Sequence, residues 1–499
     1  MRTGGRAAGR KGGTKLAMLA LLFTALPPYR LTAQCPDGAP PPCRGARAIA
    51  AAASRVAVLP FENRARDTSL TLLAEGLADQ ITTNLGQVSR LELVPPASVR
   101  FVLVRTPREP ARLGRALGSR WLVDGQLLSS AGHVRVSVQL IEAASQRVRW
   151  TGAFQRPAED LFAVISAVAD SVATAIIGTL APAERERLAR RPTTSNASMV
   201  AYTRGLAAFH RMDGLNARDA IVSFESATAT DSMFAQAWAG LAEALIWLDS
   251  YVPARQVYPR ARVAAERALA IDPMSPAALS ALGAVTMYYD WDLPRAEPLV
   301  RRALRQDSTY ARAWLYLAEL LAAQGRFDDA VPAYHAALAA DTLDEPVALE
   351  AANGLQLARR TDESLALIAR WRARLPRSDV WAFAEALTLV GAHHCAASPP
   401  AAPIGPLSLA CAGQAAAARA LADSMVAQIE RGDLYYYPAW MAMTFVGMGD
   451  HDAALRWLAR GIEARTYILV FLRVDPIWDP LRGDPRFTEL LQRMRPEGR

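Results

Sequence analysis

Lysine is nearly missing from this chain: Lys11 and Lys15 are the only two in 499 residues. Basic character rests on arginine instead. The formal charge is +8, and Arg2, Arg6, Arg10, Lys11, Lys15 and Arg30 all precede Ala33 with no acid among them. Beyond that point the signs are interspersed and no basic run with interleaved aromatics remains, which argues against nucleic-acid binding. Reactive groups are equally sparse. There is no G-x-S-x-G elbow, no P-loop, no strand-borne G-x-G-x-x-G and no H-E-x-x-H, and the six histidines are too scattered to nominate a base. Asp124 and Glu142, near strand ends, read as solvated or capping carboxylates. An enzyme needs convergent groups, so the expectation is a non-enzyme with no cofactor and no small-molecule substrate. Metal is not expected either, because His393-His394-Cys395 lacks a fourth ligand at zinc spacing.

Long apolar runs are also few. The longest, Leu16 to Leu26 (LAMLALLFTAL), is too short for the roughly twenty residues a membrane span needs. With its basic flank and the Pro27-Pro28 stop, residues 1–33 have the parts of an export signal cut after Leu31-Thr32-Ala33. An uncleaved anchor and a lipoprotein attached at Cys35 are the alternatives, the latter disfavoured by bulky Gln34. The body is expected to lie outside the cytoplasm, periplasmic or otherwise exported, with membrane contact only through an uncleaved leader. Four cysteines fit that compartment: Cys35 and Cys43 flank one Pro-rich loop and Cys395 and Cys411 another. Each local pair reads as a disulfide across a stretch without regular structure, worth about 2–3 kcal/mol if unstrained. Free thiols in a cytosolic protein are the plainer alternative.

Residues 34–53 are Pro, Gly and Ala-rich and read as a tether. A short apolar run, Arg55 to Phe61, then opens a region of mixed periodicity. Ser69 to Leu85 puts Leu72, Leu73, Leu77, Ile81 and Leu85 on one helical face. Leu91 to Val94 predicts a second strand, and a helical stretch broken near Pro107 and Pro110 ends at Leu117. Trp121 to Leu128, Val134 to Leu140 and Arg147 to Phe154 alternate with period two, with turn residues between them. A helix from Glu159 to about Leu180 closes the unit. The order β-α-β-α-β-β-β-α predicts a compact mixed sheet with helices packed on it. In sequence, RVAVLPFENRARD, then AEGLADQITTNL, then LGSRWLVDGQLLSSAGHVRVSVQLIEAASQRVRW resemble the TolB-like amino-terminal domain over residues 54–180. Related chains often carry a kinase, cyclase or winged-helix domain upstream. A signal-like leader occupies that place here, so the resemblance implies no effector activity.

From about Ala197 the period changes. Trp314, Leu317, Ala318 and Leu321 fall at i, i+3, i+4 and i+7, Gly325 sits where a helix would end in a left-handed cap, and Ala330, Tyr334 and Ala337 form a second stripe. This helical hairpin cannot bury its apolar face alone. Leu355, Ser364, Ile368 and Pro376 continue in phase after it, and Leu282-Gly283, Ala296, Val300 and Ala303 precede it. Further back, Trp238, Leu241, Ala242, Ala261, Ala265, Ala268 and Pro273 fit with an insertion, and Gly205, Ala220, Phe224 and Ala227 with a longer turn. The pattern resembles the tetratricopeptide (TPR) family, with five good units and two degenerate ones across residues 197–465, one of them split by an insertion loop at 391–413. Residues 466–499, with Asp-Pro at Asp475, Asp479 and Asp484, read as capping turns and a last helix rather than a calcium site. The expected fold is an α/β amino-terminal domain followed by an all-α superhelical solenoid.

The TPR resemblance implies a concave groove lined by first-helix residues that holds protein or peptide partners. Those residues include Gln236, Glu243 and Trp247 in one repeat, Arg312, Leu315 and Glu319 in the best repeat, and Tyr436 and Met443 in the last. A few anchors among acids, arginine and aromatics suit a peptide segment. The favoured expectation is an exported, non-catalytic scaffold in envelope assembly or signalling. The alternatives are a membrane-anchored sensory accessory of a cyclase or kinase system and, more distantly, an envelope enzyme.

Overall fold

The computed structural model describes residues 55–494 except 66–69, 131–132, 158–159, 211–213, 250, 376–378, 393, 396–404 and 435. The leader, the tether and the Cys35–Cys43 pair therefore lie outside the described residues. Residues 54–499 form one compact unit.

The chain begins with a sheet in the order β3-β1-β4-β5-β6, with β2 also paired to β4. Its strands are β1 (Arg55–Val58), β2 (Glu62–Asn63), β3 (Glu92–Leu93), β4 (Trp121–Ser130), β5 (His133–Glu142) and β6 (Arg147–Pro157). β1 runs parallel to both β3 and β4, whereas β4, β5 and β6 form an antiparallel meander. Alternation in β5 sends Val134, Val136, Val138 and Leu140 to one face, where they share a core with α1 (Thr71–Leu85) and α4 (Leu161–Ile177). The other face is covered at β1 and β4 by α2 (Pro96–Leu103) and α3 (Pro110–Leu117), through Val99, Val102, Leu113 and Leu117. A short α5 (Pro182–Ala189) leads out of the sheet unit.

Paired helices follow: α6 (Asn196–Phe209) with α7 (Gly214–Thr230), α8 (Ala235–Leu248) with α9 (Ala254–Ile271), α10 (Pro276–Tyr288) with α11 (Leu293–Gln306), α12 (Ala311–Ala323) with α13 (Phe327–Ala340), and α14 (Glu345–Leu357) with α15 (Thr361–Arg374). Then come α16 (Asp379–Gly391), a six-residue α17 (Pro406–Cys411), α18 (Ala415–Arg431), and the last pair, α19 (Pro438–Gly447) and α20 (His451–Ala464). The insertion at 391–413 is thus not wholly irregular: Gly405 starts α17 and Pro406 sits in its first turn, an entry compatible with a helix.

Local chemistry sets these boundaries. Ser195, Ser275, Asp292, Asp344 and Asp450 each accept a bond from a backbone N–H at their helix start, satisfying one of the donors a helix leaves orphaned there. The beat is clearest in the turns. Backbone φ is positive at Trp291, Gly325 and Arg359, three positions evenly spaced at one repeat length. At Gly325 the turn closes with N–H bonds from Gly325 to the Ala322 carbonyl at 2.8 Å and from Arg326 to the Leu321 carbonyl at 2.9 Å.

After α20, two 3-10 turns, Tyr467–Phe471 and Pro476–Leu481, precede α21 (Pro485–Arg493). Asp475 and Asp484 cap the turn and helix that follow them, while Asp479 pairs with Arg359 and Arg482. The sheet unit folds back on the helix pairs. α1 crosses α6 so closely that a Cβ on Gly76 would sit 2.0 Å from the Thr203 carbonyl oxygen. Phe101 of α2 meets Trp371 of α15 edge-on with centroids 5.3 Å apart, and Ser98 donates to Asp341 in a buried bond.

Candidate partner-binding groove

The groove residues lie on α8, α12 and α19, first helices of their pairs, with Tyr436 just ahead of α19. Gln236 is exposed, Glu243, Trp247, Arg312 and Tyr436 are half-buried, and Leu315, Glu319 and Met443 are buried. Most of them already have partners. The Tyr310 hydroxyl, just before α12, donates to the Glu243 carboxylate on α8. That bond joins residues two repeats apart, so the inner face is tightly curved here. Burial raises the Glu243 carboxyl, opposed by the Arg312 charge, the Tyr310 bond and His210. Arg312 lies over the Phe209 ring, 5.1 Å from its centroid. Burial alone would lower its guanidinium, but Tyr316, Glu243 and Asp344 push it upward.

Glu319 is 2% exposed and accepts from the Tyr288 hydroxyl. Burial and then the charge of Glu350 raise its carboxyl well above the ordinary range, the Tyr288 bond opposing. Glu350 on α14 is raised by burial and held by Asn353 at 3.3 Å. The Tyr334 hydroxyl, which feels the charge of both glutamates, makes no hydrogen bond among the described residues. Tyr436 meets Trp440 edge-on at 5.5 Å, and burial pushes its phenol up to about 12.

The tail of the same chain covers part of this face, a placement the sequence did not show. Tyr467 packs edge-on against Tyr288 and Tyr437, each at 5.6 Å. Arg465 donates to the Tyr289 carbonyl at 2.6 Å. Gln356 of α14 donates to Asp475 at 3.4 Å. The first 3-10 turn touches α10 and α12, and the second touches α16 and α19, all first helices. The sheet unit meets the array beside α6, where His210 Nδ1 lies 3.0 Å from the Asp79 carboxylate, and within the unit Arg100 makes a two-pronged contact to that carboxylate at 3.0 and 2.9 Å. Burial alone would raise Asp79, but Arg100 and His210 outweigh it and hold the carboxyl at about 2. The array also closes on itself. Arg255 of α9 donates to the Glu463 carbonyl of α20 at 2.7 Å, and Asp249 after α8 takes a hydrogen bond from Tyr258 of α9 at 3.4 Å.

Cys395 and Cys411 are joined as a disulfide. Among the described residues no three His, Cys, Asp or Glu side chains gather as a metal site would require, and no helix is long and apolar enough to cross a membrane. Asp124 and Glu142 are ion-paired apart, to Arg108 and Arg120 respectively.

Residues 292–332 match the tetratricopeptide repeat family, and residues 52–199 match the second domain of the HilA/YgeH-like transcriptional regulators. The chain is 30% identical over 132 residues to a putative adenylate cyclase 3 of Rhizobium meliloti (strain 1021), covering 26% of this chain and only 22% of that protein. Among solved structures it is similar to a thermophilic TPR protein of Thermus thermophilus, at 20% identity over 39% of this chain and 100% of that one, with a TM-score of 0.33. The type IV pilus biogenesis factor PilW aligns at 17% identity over 59% and 98%, with a TM-score of 0.30. YrrB, a TPR protein with an unusual peptide-binding site, aligns at 17% over 38% and 91%, with a TM-score of 0.26. These scores are too low to transfer an arrangement to this chain. The stretch 292–332, which spans α11 and α12, carries the tetratricopeptide repeat signature.

Proposed function

We propose that the chain is a non-catalytic, exported scaffold that binds protein partners on its outer surfaces, not inside the curve of its repeats. The Tyr310–Glu243 bond supports this reading best, because it bridges the inner face where a peptide would have to lie. The tail packs on the first helices α10, α12, α16 and α19. Of the eight groove residues, Gln236 alone is exposed and keeps a role at the rim. The basic leader with its apolar core supports export, and with it a role in envelope assembly or signalling. The string VAVLPF and the VRVSVQL strand support a TolB-like identity for residues 54–180, and the even left-handed turns support a superhelical path for the repeats.

The test uses photo-crosslinking, because amine-reactive reagents find no lysine beyond Lys15. A photoreactive residue is placed at exposed Val222 or Val263 on the outer helices, or at inner Trp247. The reading expects adducts to other proteins from the outer positions; adducts confined to Trp247 would overturn it. Amino-terminal sequencing that finds Gln34 first supports export over an anchor. The alternative, an accessory of a cyclase system, draws on the partial likeness to a putative adenylate cyclase. It requires the leader to stay attached.

A further inference from the structure

We infer that the free edge of β6 is a docking site for an acidic, extended protein segment, which adds to the sheet as a further strand. The inference rests on the protein-binding reading above and narrows it to one surface. β6 is among the longest strands of the sheet and lies at its end, hydrogen-bonded to β5 on one side. Among the described residues no strand pairs with its other edge, which makes that edge a template for strand addition.

Charge on this corner has one sign. Residues 125–157 contain Arg135, Arg147, Arg149 and Arg156 but a single acid, Glu142, and that acid is bonded to Arg120 at 2.9 Å. Arg135, Arg147 and Arg149 make no ion pair among the described residues, and Arg156 bonds only to the adjacent Gln155 carbonyl. Elsewhere many surface arginines have a carboxylate within reach, as Arg260, Arg326, Arg419 and Arg486 do. Arg149 is the extra residue at the irregularity between the pairs Leu140–Trp150 and Ile141–Val148, and such bulges re-aim a side chain.

Apolar chemistry occupies the middle of the edge. Trp150, Gly152 and Phe154 share the face that carries Leu140, Val138 and Val136. The Trp150 ring lies over Gly152, 6.2 Å from the Phe154 ring, and both aromatics stay half-exposed. Thr151, Ala153 and Gln155 alternate onto the opposite, open face beside Gln139, Ser137 and Arg135. An incoming strand therefore meets an apolar strip on one face and arginines toward both ends. The matching segment alternates β-branched and acidic residues. A second copy of β6 is a poor occupant, because it would bring arginines against arginines.

The test titrates the whole protein into a short fluorescent peptide of alternating valine and glutamate and follows anisotropy. Three comparisons accompany it: a valine–lysine peptide, a valine–glutamate peptide N-methylated at alternate residues, and a short oligothymidylate. Binding of the first alone, weakening as salt rises, is the expected result. Arg147→Glu with Arg149→Glu and Arg156→Glu is expected to weaken it about tenfold or more, a ratio one lost exposed charge seldom gives. If that variant does not fold, the N-methylated peptide on the unaltered protein still decides, since only strand pairing needs its N–H groups. Equal binding of the methylated peptide or of the oligothymidylate, or no binding at all, would overturn the inference. Outer-surface crosslinks without peptide binding would leave the scaffold reading standing and remove only this site.

Discussion

Gly76→Ala separates packing from propensity by sign. In the middle of a helix, alanine is favoured over glycine by about 1 kcal/mol, so α1 considered alone should gain from the change. In the folded chain the new Cβ would lie 2.0 Å from the Thr203 carbonyl oxygen and 2.8 Å from the carbonyl carbon and Cγ2 of the same residue. An ordinary C···O contact is about 3.3 Å or more, so α1 and α6 would have to part by over an ångström. The obstructing atoms are mostly backbone and cannot swing aside. Overpacking of this kind costs about 1–3 kcal/mol, and here it opposes separation of the sheet unit from the first repeat. The net expectation is a loss of up to about 2 kcal/mol in urea unfolding, with faster amide exchange confined to α1 and α6. Gly483→Ala, where a Cβ meets nothing within 4 Å, serves as control and should change stability by less than about 0.5 kcal/mol. A Gly76→Ala protein more stable than the parent would refute the close docking of the two units.

Burial pushes the Asp249 carboxyl up to about 7 from 3.8, against the opposing influence of nearby Tyr437 and the hydrogen bond from Tyr258. A group raised in the folded state contributes fully below its unfolded pKa and loses that contribution as pH rises through 7. This carboxyl should therefore weaken the fold between pH 4 and 7 by an amount on the order of 4 kcal/mol. Asp249→Asn is expected to flatten that slope in denaturant titrations, and an unchanged slope would dismiss the assignment. Arg359 holds a positive φ of 57° where the preceding repeat has glycine. Arg359→Gly should accordingly raise stability by about 0.5–1 kcal/mol, less the small worth of its exposed pair with Asp479; a lower melting temperature would speak against a strained turn. Reducing Cys395–Cys411, which are 16 residues apart, should cost about 3 kcal/mol at most. Amide exchange is expected to rise around residues 391–413 with the repeats intact, and global unfolding would show that the bond holds more than its own loop.

What the sequence made legible was periodic. Val134 to Leu140 alternates and forms β5; Trp314 to Leu321 recurs at helical spacing and forms α12. Gly325 terminates its helix in the left-handed region, as its position implied. Less periodic elements escaped notice. The two-residue β2 pairs parallel to β4 through Glu62 and Asn63, too short a stretch to show alternation. α5 is a polar helix of eight residues with no apolar stripe. α17 lies in a Pro- and Ala-rich stretch that read as loop. At the candidate site the chemistry was visible but its neighbours were not. Glu319 and Arg312 stand on first helices, as the repeat register required. That Tyr288, Tyr310 and Phe209 would complete their surroundings depends on how sharply the array bends, which the small residues at each crossing settle together rather than one by one.

That curvature decides where a partner can bind. A peptide seeking the inner row must first remove the tail, whose Leu469, Val470, Phe471, Leu472, Ile477, Trp478 and Leu481 are all buried. At about 1.5–3 kcal/mol for each large apolar side chain, these together hold the tail with something on the order of 10–20 kcal/mol, an upper figure for the area they cover. A partner of nanomolar affinity has about 12 kcal/mol in all, and it would also have to part Tyr288 from Glu319 and Tyr310 from Glu243. Such a partner would use most of its binding free energy on displacement and be left weakly held. A strand added to β6 displaces no strand among the described residues. Its Arg147 and Arg149 make no ion pair among those residues, and its aromatics are only partly buried.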